Sequence, residues 1–158
     1  MSDCLPRIWK AIEAAPAARI PLHDTFQHLG FVTQSLALLN IQPTCFSSRE
    51  NLFVEKLILT CRRANFPNFY EPLPRLARKK PAPNVSNIPF RRVYISRKLA
   101  DKRKAHNELA VELLMRKHGF EIVHPENISL KAQIELMAET QILVSLHGAA
   151  LTNMLFMQ

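Results

Sequence analysis

The chain has 158 residues, of which 47% are hydrophobic, so disorder is excluded and one core of ordinary size, or parts of two smaller ones, can be buried. Its formal charge of +8 calls for an anionic partner, and nucleic acid, acidic lipid and nucleotide phosphate all qualify. Cys4, Cys45 and Cys61 are odd in number, far apart and without a CxxC spacing, which argues against a disulfide framework or a zinc site and for a reducing compartment.

In chain order, Leu5 to Ala15 carries apolar residues at Leu5, Ile8, Trp9 and Ile12, a helical stripe with Pro6 near its first turn and Pro16 closing it. Arg19 to Leu22 reads as a short edge strand. Phe26 to Leu39 reads as a second helix on Leu29, Val32, Leu36 and Leu39, weakened in its middle by Gly30. Phe53 to Leu59 suggests a buried strand through Val54, Leu57, Ile58 and Leu59. From Phe66 to Pro89 the chain is proline-dense with a basic run, Arg75 to Lys80, which predicts a linker and a domain boundary near residue 85.

Beyond the linker the pattern is regular. Val93 to Ser96 predicts a strand. Asn107 to His118 predicts a helix buried through Leu109, Ala110, Leu113 and Leu114, with Gly119 as its cap. Phe120 to Val123 is a second strand, stopped by Pro125. Ser129 caps a helix that faces inward through Leu130, Ile134, Met137 and Ala138. Ile142 to Leu146 follows as a strand buried on both faces, then a turn at Gly148 and a helix from Ala149 to Met157. Alternating strands and helices with short loops predict an α/β fold with a parallel sheet, whose ligands sit beyond the carboxyl ends of the strands. Those ends are Ser96-Arg97, His124-Pro125-Glu126 and His147-Gly148. No apolar run approaches the roughly twenty residues that span a bilayer, and Met1-Ser2-Asp3 does not begin a signal peptide.

At these ends the residue types suit an anion. Arg97 can clamp a diphosphate through two parallel hydrogen bonds, with Lys98, Lys102, Arg103 and Lys104 nearby. A strand that ends in a glycine turn and opens a helix presents N–H groups and a positive dipole end, to which His147 and Thr152 add donors. Glu126 reads either as an acceptor for a ribose or sugar hydroxyl or as an ordinary loop carboxylate. Asn107 and Glu108 read as helix-capping residues, and Gln133 and Glu135 as a solvated turn. There is no GxGxxG, P-loop, HExxH or GxSxG, and the histidines lack metal-ligand spacing. The basic run has no interleaved aromatic residues, so nucleic acid is not the expected partner. A non-catalytic basic binding module is the alternative to an enzyme.

Tyr94-Ile95-Ser96-Arg97, Arg103, Asn107-Glu108, Gly119-Phe120, Pro125-Glu126, Gln133 and His147-Gly148-Ala149-Ala150-Leu151-Thr152-Asn153 together resemble glycosyltransferase family 61. Upstream, Asp3-Cys4-Leu5-Pro6-Arg7 and Val54-Glu55-Lys56-Leu57 resemble two further family segments. The resemblance implies a GT-B fold of two Rossmann-like domains. Residues 1–85 would be the remnant of the acceptor-side domain with its linker, and residues 90–158 the first half of the nucleotide-sugar-binding domain. It also implies inverting transfer from a nucleotide diphosphate sugar to a hydroxyl of a glycan or polysaccharide acceptor, as in capsular polysaccharide synthesis. No metal cofactor is implied, and the expected compartment is the bacterial cytoplasm, peripheral at the inner membrane. Carried over residue by residue, Arg97, His147, Gly148 and Ala149 fall to the donor diphosphate. Thr152 and Asn153 support the turn, Glu126 lies near the nucleoside, and Asp3 takes the place of the general base. The family's His-Trp pair does not precede Asp3, and the family pattern extends past Gln158. The chain therefore reads as an internal segment, expected to be inactive alone and to expose Met154, Leu155, Phe156 and Met157.

Overall fold

The computed structural model describes residues 4–60, 88–100, 102 and 104–157. The chain divides into two compact units, residues 1–79 and 80–158, and both are mixed helix and strand with small parallel sheets. The predicted boundary near residue 85 and the basic run before it lie outside the described residues.

In the first unit, α1 (Cys4–Ala14) forms where the apolar stripe predicts it and buries Leu5. Strand β1 (Pro21–His23) pairs in parallel with β2 (Thr44–Phe46), which lacks a periodic signal in the sequence. Between them runs α2 (Gly30–Leu38), burying Val32 and Leu36. Gly30 therefore opens this helix instead of weakening its middle, and Asp24–Phe26 is a separate 3₁₀ turn. Asn40 takes a left-handed φ of 57°, letting the Ile41 N–H reach the Leu36 carbonyl at 2.9 Å and close the helix. The strand predicted from Phe53 to Leu59 does not form, and Phe53 is 90% exposed. A strand needs a neighbour for its N–H and C=O groups, and among the described residues of this unit only β1 and β2 pair.

The second unit is a three-stranded parallel sheet in the order β4-β3-β5, from β3 (Arg91–Ile95), β4 (Glu121–Val123) and β5 (Thr140–Ser145). Connecting them are α3 (Glu108–Lys117) and α4 (Leu130–Ala138). The pleat of β3 sends Val93 and Ile95 to one face, where they meet Met137 and Leu136 of α4 together with Ala150, Phe156 and Met157. Tyr94 and Ser96 point to the opposite face and hydrogen-bond α3. One helix per face is what right-handed crossovers require when the chain steps first to one side of β3 and then to the other.

The caps of this unit follow the sequence. Ser129 accepts the Ala132 N–H at 3.2 Å, and Gly119, with φ 76°, ends α3 as the Phe120 N–H reaches the Met115 carbonyl at 3.0 Å. Arg91 ties the entry side of the sheet together, its Nε at 2.7 Å from Glu139 and its Nη1 at 2.8 Å from Glu121.

Three expectations are corrected. Helix α3 does not bury its leucines. Glu108 and Glu112 face inward at 4% exposure, while Leu113 is 61% exposed and Leu109 and Leu114 also face out. The reason is the partner strand, which offers α3 the Tyr94 and Ser96 hydroxyls instead of an apolar surface. Strand β5 is not buried on both faces: among the described residues it is an edge strand paired with β3, and Ile142 is exposed. The segment after Gly148 is a 3₁₀ helix, Ala149–Phe156, and it packs Phe156 and Met157 onto the core while Met154 stays exposed.

Candidate functional site

The strand order fixes where a ligand can bind. From β3 the chain moves to β4 on one side, then crosses back to β5 on the other. The carboxyl ends of β3 and β5 therefore lie side by side, and the crevice between them is on the edge of the sheet where parallel α/β folds take their ligands. Arg97 leaves β3 at this crevice, and His147-Gly148 leaves β5.

The two meet. A Cβ built on Gly148 would overlap Nη1 of Arg97 and stand 2.9 Å from its Cζ. Gly148 has φ −176° and ψ 172°, extended backbone open to any residue, so a side chain there would be opposed by the Arg97 guanidinium and not by the turn. The Nη2 of Arg97 donates to the Lys102 carbonyl at 2.6 Å, holding the guanidinium from its far side. His147 and Ala149 flank Gly148 and are exposed. In the 3₁₀ helix that follows, the Leu151 N–H is the first to bond back, to the Gly148 carbonyl at 3.1 Å. The amides of Ala149 and Ala150 thus precede the first helical bond.

The exits of β3 and β5 are pinned to each other and to α3. The Ser145 hydroxyl donates to the Ile95 carbonyl at 3.1 Å. On the α3 side, Glu108 Oε1 accepts from the Tyr94 hydroxyl at 2.7 Å and from the Arg97 backbone N–H at 2.9 Å. Glu112 Oε1 accepts from the Ser96 hydroxyl at 2.7 Å, and Ser96 Oγ in turn accepts the Lys98 N–H at 3.1 Å. His124, at the end of β4, brings Nε2 to 3.7 Å from Glu112. Burial pushes the Glu108 carboxyl up. The Arg97 N–H, the Tyr94 and Ser96 hydroxyls and the Arg97 charge outweigh it, leaving the group below its ordinary value. Burial, with the carboxylates of Glu108 and Glu112, raises the Tyr94 phenol above its ordinary value. Glu108 is thus not a helix cap: its side chain serves the strand, and Asn107 makes no side-chain cap bond either.

Thr152 and Asn153 lie half-buried in the terminal 3₁₀ helix. The Asn153 Nδ2 donates to Gln133 Oε1 at 2.5 Å, and Gln133 Nε2 donates to the carbonyls of Pro125 and Ile128 at 3.0 and 3.1 Å. One side chain thereby joins the loop after β4, which carries Glu126, to the helix after β5. This corrects the reading of Gln133 as a solvated residue. Glu126 itself is exposed in the 3₁₀ turn Pro125–Asn127. Asp3 lies outside the described residues, as does Arg103, and residues 54–57 of the weaker family segment are exposed. Among the described residues no three His, Cys, Asp or Glu side chains group so as to hold a metal ion, and no helix is long and apolar enough to cross a membrane.

Sequence reasoning missed Glu108, Glu112, Gln133 and Ser145. A signal existed for the first two: carboxylates at i and i+4 share one helix face, and Tyr94 and Ser96 share one strand face. The leucine periodicity of the same helix obscured it.

Comparison with known families gives one finding. The family described as Glycosyltransferase 61 matches residues 1–158, the whole chain. No curated protein and no solved structure matches it.

Proposed function

Because the chain belongs to glycosyltransferase family 61 and so serves glycosyl transfer between a sugar donor and an acceptor, we propose that the crevice between β3 and β5 binds the diphosphate of a nucleotide diphosphate sugar. The observation that carries this reading is the meeting of the Arg97 guanidinium with Gly148 at the adjacent carboxyl ends of β3 and β5. A guanidinium offers parallel donors to phosphate oxygens, and the glycine leaves room for it against the backbone at the exit of β5. The early amides of the terminal 3₁₀ helix add donors of the same kind. Thr152 and Asn153 support this helix, and Glu126 lies toward the nucleoside.

In the proposed reaction the oxygen of an acceptor hydroxyl attacks the anomeric carbon of the donor sugar. The bond from that carbon to the diphosphate breaks, and the nucleoside diphosphate departs with the electron pair. A general base takes the hydroxyl proton, and the configuration inverts. Arg97 balances the charge that grows on the departing diphosphate. By its match to an acidic family position, Asp3 is the residue we assign as base. The proposal includes a GT-B architecture of two Rossmann-like domains, no metal cofactor, and a role in the bacterial cytoplasm in surface or capsular polysaccharide synthesis.

The test is calorimetric titration of the protein with a nucleoside diphosphate. Replacing Arg97 by Ala should weaken binding by about 1.5–3 kcal/mol, the range for hydrogen bonds to a charged group. Unchanged affinity would remove Arg97 from the site, and absence of binding by the unaltered protein would remove the site itself.

A further inference from the structure

Helix α3 turns two carboxylates inward and leaves leucines in solvent, although exchanging the two faces would bury more apolar surface. Removing carboxylates from water is costly, and such an arrangement is weak evidence for stability. Here it is less than fully compensated: Glu108 Oε2 is sealed from solvent with no hydrogen-bond partner among the described residues. The other oxygen, Oε1, takes two donors, and both belong to β3 or its exit: the Tyr94 hydroxyl and the Arg97 backbone N–H.

The bond to the Arg97 N–H has a geometric consequence. It is made two residues past the end of β3, at the crevice, so it sets the peptide plane from which the Arg97 side chain departs. The neighbouring peptide is set in the same way, through Ser96 Oγ, which accepts the Lys98 N–H and donates to Glu112. Two carboxylates one helical turn apart therefore hold consecutive parts of one loop. From that loop the guanidinium reaches the space above Gly148 and the Lys102 carbonyl.

We propose that Glu108 is a positioning residue for the donor site: through the Arg97 backbone N–H it fixes the loop that aims the Arg97 guanidinium at the crevice beside Gly148, with Glu112 and Ser96 as a second strut. This rests on the reading of Arg97 as a diphosphate ligand. Glu108 touches no ligand itself. Both of its oxygens are committed or sealed beneath the loop.

The experiment is a double-mutant cycle on nucleoside diphosphate affinity, with folding followed in parallel by circular dichroism and thermal melting. Alone, Glu108→Gln should weaken binding roughly tenfold, and Arg97→Ala should weaken it at least as much. In the Arg97→Ala background, Glu108→Gln should change the affinity by less than about twofold, because the residue it positions is gone. A merely structural role would lower the melting temperature in both backgrounds and leave the two affinity losses additive, and additivity overturns the proposal. If Glu108→Gln does not fold, Ser96→Ala enters the same cycle with the same expectation and the same overturning result. Should Arg97→Ala bind as well as the unaltered protein, the reading of the donor site falls, and the positioning role falls with it. If Arg97→Ala loses affinity while Glu108→Gln and Ser96→Ala do not, the donor site stands and only the positioning role is lost.

Discussion

The guanidinium of Arg97 occupies the space that a side chain on Gly148 would need. Since Gly148 has extended backbone, an alanine there is tolerated by the turn and the atoms nearest its methyl group belong to the Arg97 side chain. Gly148→Ala should therefore fold, with an unchanged circular dichroism spectrum, and displace the guanidinium. Nucleoside diphosphate affinity should drop by about 1.5–3 kcal/mol, as for Arg97→Ala. A variant that binds normally would separate Gly148 from the function of Arg97.

Gln133 makes three hydrogen bonds that join the loop after β4 to the helix after β5. Gln133→Ala leaves the Pro125 and Ile128 carbonyls and the Asn153 amide without this partner. The expected cost is about 1–3 kcal/mol of stability in urea unfolding. A loss below a few tenths of a kcal/mol would return Gln133 to the class of solvated surface residues.

The carboxyl of Glu108 is held below its ordinary value of 4.5 in the folded state, burial being outweighed by its donors and by Arg97. A folded-state pKa below the unfolded one contributes stability that is present above the unfolded value and lost as pH falls through the folded one. Melting temperature should fall on acidification below about pH 4.5, and fall less steeply in Glu108→Gln, which has no proton to take up. Equal slopes in the two proteins would show that Glu108 is not depressed.

On the outer face of α3, Leu109, Leu113 and Leu114 are exposed. Leu113→Lys should change stability by no more than about 0.5 kcal/mol, the usual range for a surface position, and should reduce binding of an apolar-surface dye. A loss of several kcal/mol would mean that the leucine face is buried and the carboxylate face is not.

What the sequence made legible in this fold was local. Gly119 and Ser129 end and begin their helices where their chemistry allows, and β3, β4 and α4 follow from short apolar runs and a helical period. The placement of Arg97 and Gly148 at strand ends was legible for the same reason, but their contact was not, because strand order is set by pairing between distant residues. The face of α3 was read wrongly because periodicity reports which residues share a side, not which side is inward. That choice lay with Tyr94 and Ser96, whose hydroxyls require acceptors once buried. Residues 53–59 have the composition of a strand and remain exposed, since composition supplies no partner to pair with.

The bond from Arg97 to the Lys102 carbonyl has a kinetic meaning on the proposed reading. An arginine already seated at the mouth of the crevice surrenders little rotational freedom when a diphosphate arrives, so less of the binding energy is consumed in ordering it. Capture is then governed by diffusion and the positive field of the chain, and the seating shows itself in how long the ligand stays. Loosening the arm would shorten residence while leaving the encounter rate nearly untouched.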